Sequence, residues 1–331
     1  MNPIRKTAKP KALKPFLERT YDNLHSGGWI GLDPLNWPRR YETHADREVV
    51  AYLASALAYG NVAQIDRSLT NLFGRMGRSP AGFIREFGTK KSEAALEGFY
   101  HRFNDADDLR ALLGLMGQIL RRWESLESFW AEANTTALRA KNGHTPQNTI
   151  SDRAGKFIRA ALALELPNTV IELDGRPRTS FRHLMPQVDG PSACKRFHLF
   201  LRWAVRRDDG VDLGLWTPER SGERPADLEY PVDTHILRLS RYLGATERKS
   251  AVAKSRREIT NFFKGIDAED PVRFDFSLCR LGILKRCPTR ENLSACKACD
   301  LRRVCSRYAT MKSPKPPARQ PRATPAPRRV P

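Results

Sequence analysis

Apolar positions along this chain recur at helical spacing, and no stretch of strict apolar/polar alternation stands out. Residues 48–59, Glu-Val-Val-Ala-Tyr-Leu-Ala-Ser-Ala-Leu-Ala-Tyr, are helix formers and apolar enough to predict a buried helix, which Gly60-Asn61 ends. A second helix is predicted from Asp105, where an acidic start suits the helix dipole. Further helices are predicted over 151–164, 192–205, 233–243 and 254–263. The polar stretches 143–151 and 206–228 read as loops, and no internal repeat is visible. Residues 312–331 hold seven prolines and no large apolar residue except Val330, so they predict a disordered Pro/Arg-rich tail. Residues 1–12 read as a basic tail of the same kind. The expected fold class is all-α.

Composition adds a direction. The 331 residues are enough for two domains or one large one. The net charge is +20, with six Lys/Arg and one Glu in residues 1–20 and six Lys/Arg and no acid in residues 312–331. Such an excess suits a polyanionic partner, nucleic acid first, against the blander reading of a basic protein with sticky ends. No apolar run is long enough to span a bilayer, and the N-terminus lacks the apolar stretch of a secretion signal. The expected setting is therefore cytoplasmic and nucleoid-associated, without a membrane partner, where thiols stay reduced.

Reduced thiols matter because four of the six cysteines crowd into nineteen residues. Cys287, Cys296, Cys299 and Cys305 are spaced C-x8-C-x2-C-x5-C. Four thiolates so close in sequence can reach one centre, either zinc or an iron–sulfur cluster. Cys194 and Cys279 stand apart and read as structural. Exposed-type cations, namely Lys285, Arg286, Arg290, Lys297, Arg302 and Arg303, surround the run and suit phosphate contacts.

A second motif lies upstream. In Tyr230-Pro-Val-Asp-Thr-His-Ile-Leu-Arg-Leu-Ser-Arg-Tyr-Leu-Gly244, Pro231 and Val232 read as extended and Asp233 as the start of a helix. On pattern alone Asp233 is an N-cap. Val-Asp-Thr-His with an apolar helix, followed by four cysteines with x2 and x5 spacings, resembles the endonuclease III branch of the helix-hairpin-helix DNA glycosylases. Phe274 to Cys287 looks like the helix leading into that family's first cluster cysteine, and Leu53 to Asn61 is similar to its early helix and turn. The resemblance covers roughly residues 46–308. Ser192 to Trp216 is similar, more closely, to a further bacterial family built on the same core.

The resemblance implies two helical domains. One, 46–208, would end in the hairpin and its following helix; the other, 13–45 plus 226–308, would carry a [4Fe–4S] cluster, with zinc as the alternative. It implies double-stranded DNA containing a lesion as partner, a monomeric protein, and a catalytic role for Asp233. The hairpin matches Met185-Pro-Gln-Val-Asp-Gly-Pro-Ser-Ala-Cys-Lys195, where Gln187 and Asp189 depart from the family's glycines. Gln187, Val188, Gly190, Ser192 and Arg196 are the implied hairpin contacts to DNA, and Arg290, Lys297 and Arg302 those of the cysteine run. No lysine other than Lys195 occurs between Lys156 and Asp233, and it sits 38 residues before Asp233. An insertion at 207–229 would account for that length. Lys195 is the implied Schiff-base nucleophile, its amine made neutral by Arg196 and the apolar run Phe197 to Trp203. The expected activity is removal of a damaged, oxidised base with strand cleavage. The alternatives are a monofunctional glycosylase in which Asp233 activates water, and a DNA-binding protein without activity. Tyr59, Phe197 and Trp203 are candidates for stacking on an extruded base, or else core residues.

Overall fold

The computed structural model describes residues 10–31, 33–135, 148–284 and 286–312. Among these the chain is mostly helical, in keeping with the expected class. The helices of the first half are α1 (Lys14–Leu24), α2 (His44–Ala56), α3 (Val62–Met76), α4 (Pro80–Arg85), α5 (Lys90–Ala94), α6 (Ala106–Trp123), α7 (Leu126–Thr135), α8 (Ile150–Leu162) and α9 (Thr179–Leu184). Those of the second half are α10 (Lys195–Val205), α11 (Pro218–Ser221), α12 (Thr234–Leu243), α13 (Ala253–Lys264), α14 (Asp275–Ile283), α15 (Leu293–Lys297) and α16 (Ser306–Lys312). One antiparallel pair, β1 (Tyr100–His101) and β2 (Asn104–Asp105), interrupts them before α6. No helix among the described residues is long and apolar enough to cross a membrane.

Local chemistry sets the helix starts. Thr43, Asn61, Asp105 and Thr149 each cap a helix through a side-chain oxygen that accepts from the first turn. The helix expected over 48–59 thus begins earlier, at the Thr43 cap, and stops at Ala56. Helix α10 begins at Lys195 rather than 192, because Cys194 takes a left-handed conformation (φ 43°) that breaks the helix before it. Pro10–Leu13 form a 3-10 turn with Leu13 buried, and α16 runs to Lys312. The remainder of both expected tails, and Lys285, lie outside the described residues.

Helix α10 packs along α2 at the centre, and α6 gathers α4, α7 and α9 around it. On the other side α14 lies between α1 and α12, and α1 also meets the turn at 300–303. Gly282 permits close approach of α14 to α12: a Cβ there would fall 2.4 Å from His235 Nδ1.

The segment 206–228 is mostly irregular, as its polarity suggested, but part of it is buried. Val211, Leu213, Leu215 and Trp216 are buried, and its acids meet arginines of α10. Arg202 pairs with Asp212 at 3.0 Å and with Asp275; Arg206 pairs with Asp212, with Asp270 at 2.9 Å and with Asp209 at 3.2 Å. Apolar side chains therefore fold it inward, and its charges neutralise one another inside.

Glu48 is the counterpart on α2. Its carboxylate is buried, and it accepts from Leu126 N and Glu127 N, both at 2.9 Å, and from Trp216 Nε1 at 2.7 Å. One side chain thereby caps α7 and fixes Trp216. Burial pushes its pKa upward, against those three donors. Glu48→Ala strands all three donors in the core. We expect it to cost about 3–5 kcal/mol, read as a fall in the denaturant midpoint at unchanged slope.

Candidate active site

Lys195 and Asp233 line the same cavity, of about 610 Å³. Its walls come from the segment 28–34, the α2–α3 junction at 58–65, α10, the start of α12 and α14. Lys195 is placed there by the hairpin. Residues 185–194 turn the chain between α9 and α10, Cys194 Sγ donates to Gln187 O at 3.3 Å, and the Cys194 carbonyl accepts from Phe197 N and His198 N. Lys195 is then the first residue of the helix and half-buried.

Asp233 is the N-cap of α12: Oδ1 accepts from His235 N at 2.8 Å and Ile236 N at 2.9 Å. The cap uses only one oxygen. Oδ2 stands 3.9 Å from Cys279 Sγ on the cavity wall. Structural and chemical readings of Asp233 therefore coexist on the two oxygens of one carboxylate.

Two wall residues were missed in the sequence. Asp275 opens α14 and is buried; Arg202 Nη1 donates to its Oδ2, while Oδ1 has no hydrogen-bond partner among the described residues. Burial pushes its carboxyl up to about 6; Arg202 and Lys195 pull down and Asp233 pushes up. Cys279, one turn along, is pushed well above the usual thiol range by burial and then by Asp233 and Asp275, so it is a neutral thiol at neutral pH. It lines the cavity as a buried, neutral side chain, which is compatible with the structural cysteine expected. The visible signal was a carboxylate between two phenylalanines, Phe274-Asp-Phe276, opening an otherwise apolar helix. Arg202, in the apolar run of α10, was the matching signal.

The expected DNA contacts divide. Gln187 and Ser192 are exposed on the hairpin and Gly190 is half-buried, whereas the Val188 side chain is fully buried and anchors the turn. Arg196 also turns inward. It donates to Ala56 O and His183 O, and its guanidinium lies 4.8 Å from the Tyr59 ring centroid. Burial lowers its pKa to about 10, so it stays charged while tying α10 to α2 and α9. It is not a phosphate ligand as placed. Nor does Arg196 line the Lys195 cavity; the charges around Lys195 there are Asp233, Asp275, Arg202 and the ion pair of Asp33 with Arg280. Phe197 and Trp203 are buried core residues, which leaves Tyr59 as the one expected aromatic on the cavity wall.

Beside Tyr59 the β1–β2 hairpin carries two exposed aromatics, Tyr100 at 67% and Phe103 at 47%. Phe103 packs on Tyr59, with ring centroids 5.3 Å apart, and Arg102 leans over Gly60. The pair of short strands gave too little alternation to be read in the sequence.

Cys287, Cys296, Cys299 and Cys305 line one small cavity with Leu239, Leu243 and Leu301. Cys287 N donates to Leu281 O at 2.8 Å and Arg238 Nη2 to Cys287 O at 2.9 Å, so the entry to the run is held against α12 and α14. Burial raises the thiols of Cys296, Cys299 (to about 11) and Cys305, and the neighbouring cysteines add to this in each case. Thiols raised by burial in this way stay protonated at neutral pH unless a cation lies beside them. Among the described residues no three His, Cys, Asp or Glu side chains stand close enough to hold one ion. Arg286, Arg290, Lys297, Arg302 and Arg303 are exposed around this loop.

No curated protein and no solved structure matches the chain. A family described as "Protein of unknown function (DUF2400)" matches residues 33–284, a span that contains Lys195, Asp233 and Asp275 and stops short of Cys287. That match covers most of the sequence, and the chain belongs to the DUF2400 family.

Proposed function

We propose that the chain is a DNA N-glycosylase that removes a damaged base and then cuts the strand through a Schiff base on Lys195. The observation that carries this reading is that Lys195 and Asp233, 38 residues apart in sequence, line one cavity of about 610 Å³. Loss of a base builds positive charge at C1′ and the ring oxygen of the sugar. Oδ2 of Asp233, which accepts only from the Cys279 thiol at 3.9 Å, is the carboxylate oxygen that stabilises this charge. The Lys195 amine attacks C1′, and β-elimination from the resulting imine breaks the strand.

The cavity would receive a base extruded from the duplex, with Tyr59 on its wall. Tyr100 and Phe103 stand beside it as apolar side chains able to enter the gap left in the stack. DNA would lie between a helical domain, 46–208, and a second one formed by 13–45 and 226–308. Gln187, Gly190 and Ser192 of the hairpin would meet phosphate on one side, and Arg290, Lys297 and Arg302 on the other. Cys287, Cys296, Cys299 and Cys305 would hold a [4Fe–4S] cluster, with zinc as the alternative, and the bound group would order the loop that carries those cations. No catalytic step runs through it.

The test is incision of duplexes that each carry one lesion, with and without borohydride. A covalent protein–DNA adduct on at least one lesion is expected. Base release without an adduct assigns the water mechanism to Asp233. Neither release nor adduct across the panel, with duplex still bound, leaves a DNA-binding protein. In anaerobically purified protein, a visible absorption band with stoichiometric iron separates the cluster from zinc.

A further inference from the structure

The geometry points to Asp275 as a third functional group of this cavity, the acceptor of the Lys195 ammonium proton. The inference rests on the glycosylase reading and extends it to a residue that the resemblance did not include. Asp275 lines the cavity with Lys195 and Asp233, and it is buried. One of its oxygens is committed to Arg202; the other is buried without a partner among the described residues. A buried acceptor left unpaired is costly unless a donor arrives during function. Asp233 is less suited to accept a proton from Lys195, because one oxygen already caps α12 and the other must remain anionic beside the sugar.

The charged and titratable groups around Asp275 are Arg202 and Lys195 on α10, Asp233 at the start of α12, Tyr230 before it, Cys279 and Arg280 on α14 itself, and Asp33 of the segment 28–34, which pairs with Arg280. Arg202 holds the carboxylate in place, and burial makes it a better base than an exposed one, with a pKa of about 6. The step balances as follows. One proton passes from Lys195 Nζ to Asp275 Oδ1, which leaves a neutral amine. The amine lone pair forms the Nζ–C1′ bond, and the C1′–N bond breaks with its electron pair going to the base. The proton held on Asp275 goes to the departing base; the ring then opens, the C1′–O4′ electron pair going to O4′, which takes a proton from Nζ, so that Lys195 ends as a protonated imine and Asp275 as a carboxylate.

Borohydride trapping on a duplex with a preformed abasic site isolates the amine step, because no base has to leave. For wild type the trapping rate should rise as pH passes through about 6 and then level, since Asp275 must be ionised to accept. Asp275→Asn should lower the rate near pH 7 by about 100-fold or more and move the rise toward the range of an unassisted lysine amine, about 10. Asp270→Asn, at the more exposed end of the same ion-pair network, should leave the profile in place. A purely structural Asp275 would lower trapping equally at every pH, and that result, or no change at all, overturns the inference. Absence of any adduct with wild type overturns the glycosylase reading and this inference with it. If Asp275→Asn does not fold, carbon-13 titration of the Asp275 carboxyl in wild type and in Lys195→Gln decides instead. Loss of the Lys195 charge should raise the midpoint, and an unmoved midpoint rejects the coupling.

Discussion

Asp233→Asn is expected to lower single-turnover base release by about 10³-fold while changing stability by less than about 0.5 kcal/mol. The two effects separate because, in the proposed reaction, the carboxylate would have two jobs on two oxygens. The capping oxygen receives His235 N and Ile236 N, and an asparagine carbonyl receives them equally well. What asparagine cannot supply is negative charge at Oδ2, the oxygen on the cavity wall, where positive charge builds on the sugar. Asp233→Ala should lose both functions, with about 1 kcal/mol of stability gone as well. Lys195→Gln should abolish the borohydride adduct and leave the helix intact, since its side chain makes no cap. A rate for Asp233→Asn equal to wild type, at equal stability, would reduce Asp233 to its capping role.

The division between legible and illegible residues has physical causes. Helices were legible where an apolar face and a capping residue coincide, as at Asp105 and Asp233, and they were misplaced where a backbone conformation decides the start, as at Cys194. Lys195 and Asp233 could be named because one sits by the hairpin and the other in a four-residue motif. Asp275 and Arg202 left only a weak signal, a carboxylate between two phenylalanines and an arginine in an apolar run, because the partners that neutralise them are not adjacent in sequence. The same cause hid the segment 206–228, whose polarity reads as exposure although its acids are buried partners of α10. Arg196 shows the opposite error. A cation beside a hairpin suggests phosphate, but two backbone carbonyls, Ala56 O and His183 O, lay within its reach and unpaired carbonyls bind guanidinium strongly.

Arg206→Met should cost about 3–5 kcal/mol at neutral pH, as large a loss as that expected of Glu48→Ala. Arg206 is buried and serves three carboxylates, Asp209, Asp212 and Asp270. Methionine fills much of its volume, so the loss is electrostatic rather than a cavity. Asp212 keeps Arg202, but Arg202 is already shared with Asp275. The sign of the pH dependence identifies the cause. With the cation gone, the buried carboxyls hold their protons more tightly folded than unfolded. A group whose folded pKa is raised stabilises the fold below its unfolded pKa, and that contribution disappears as pH rises through the folded value. The deficit of Arg206→Met relative to wild type should therefore shrink as pH falls toward 4 and widen toward 7, measured by urea midpoints at both ends. A deficit independent of pH would assign the loss to packing. Because Arg202, Asp212 and Asp275 share this network, Arg206→Met should also loosen Asp275 at the cavity wall, lowering trapping by a similar factor at every pH rather than displacing its profile.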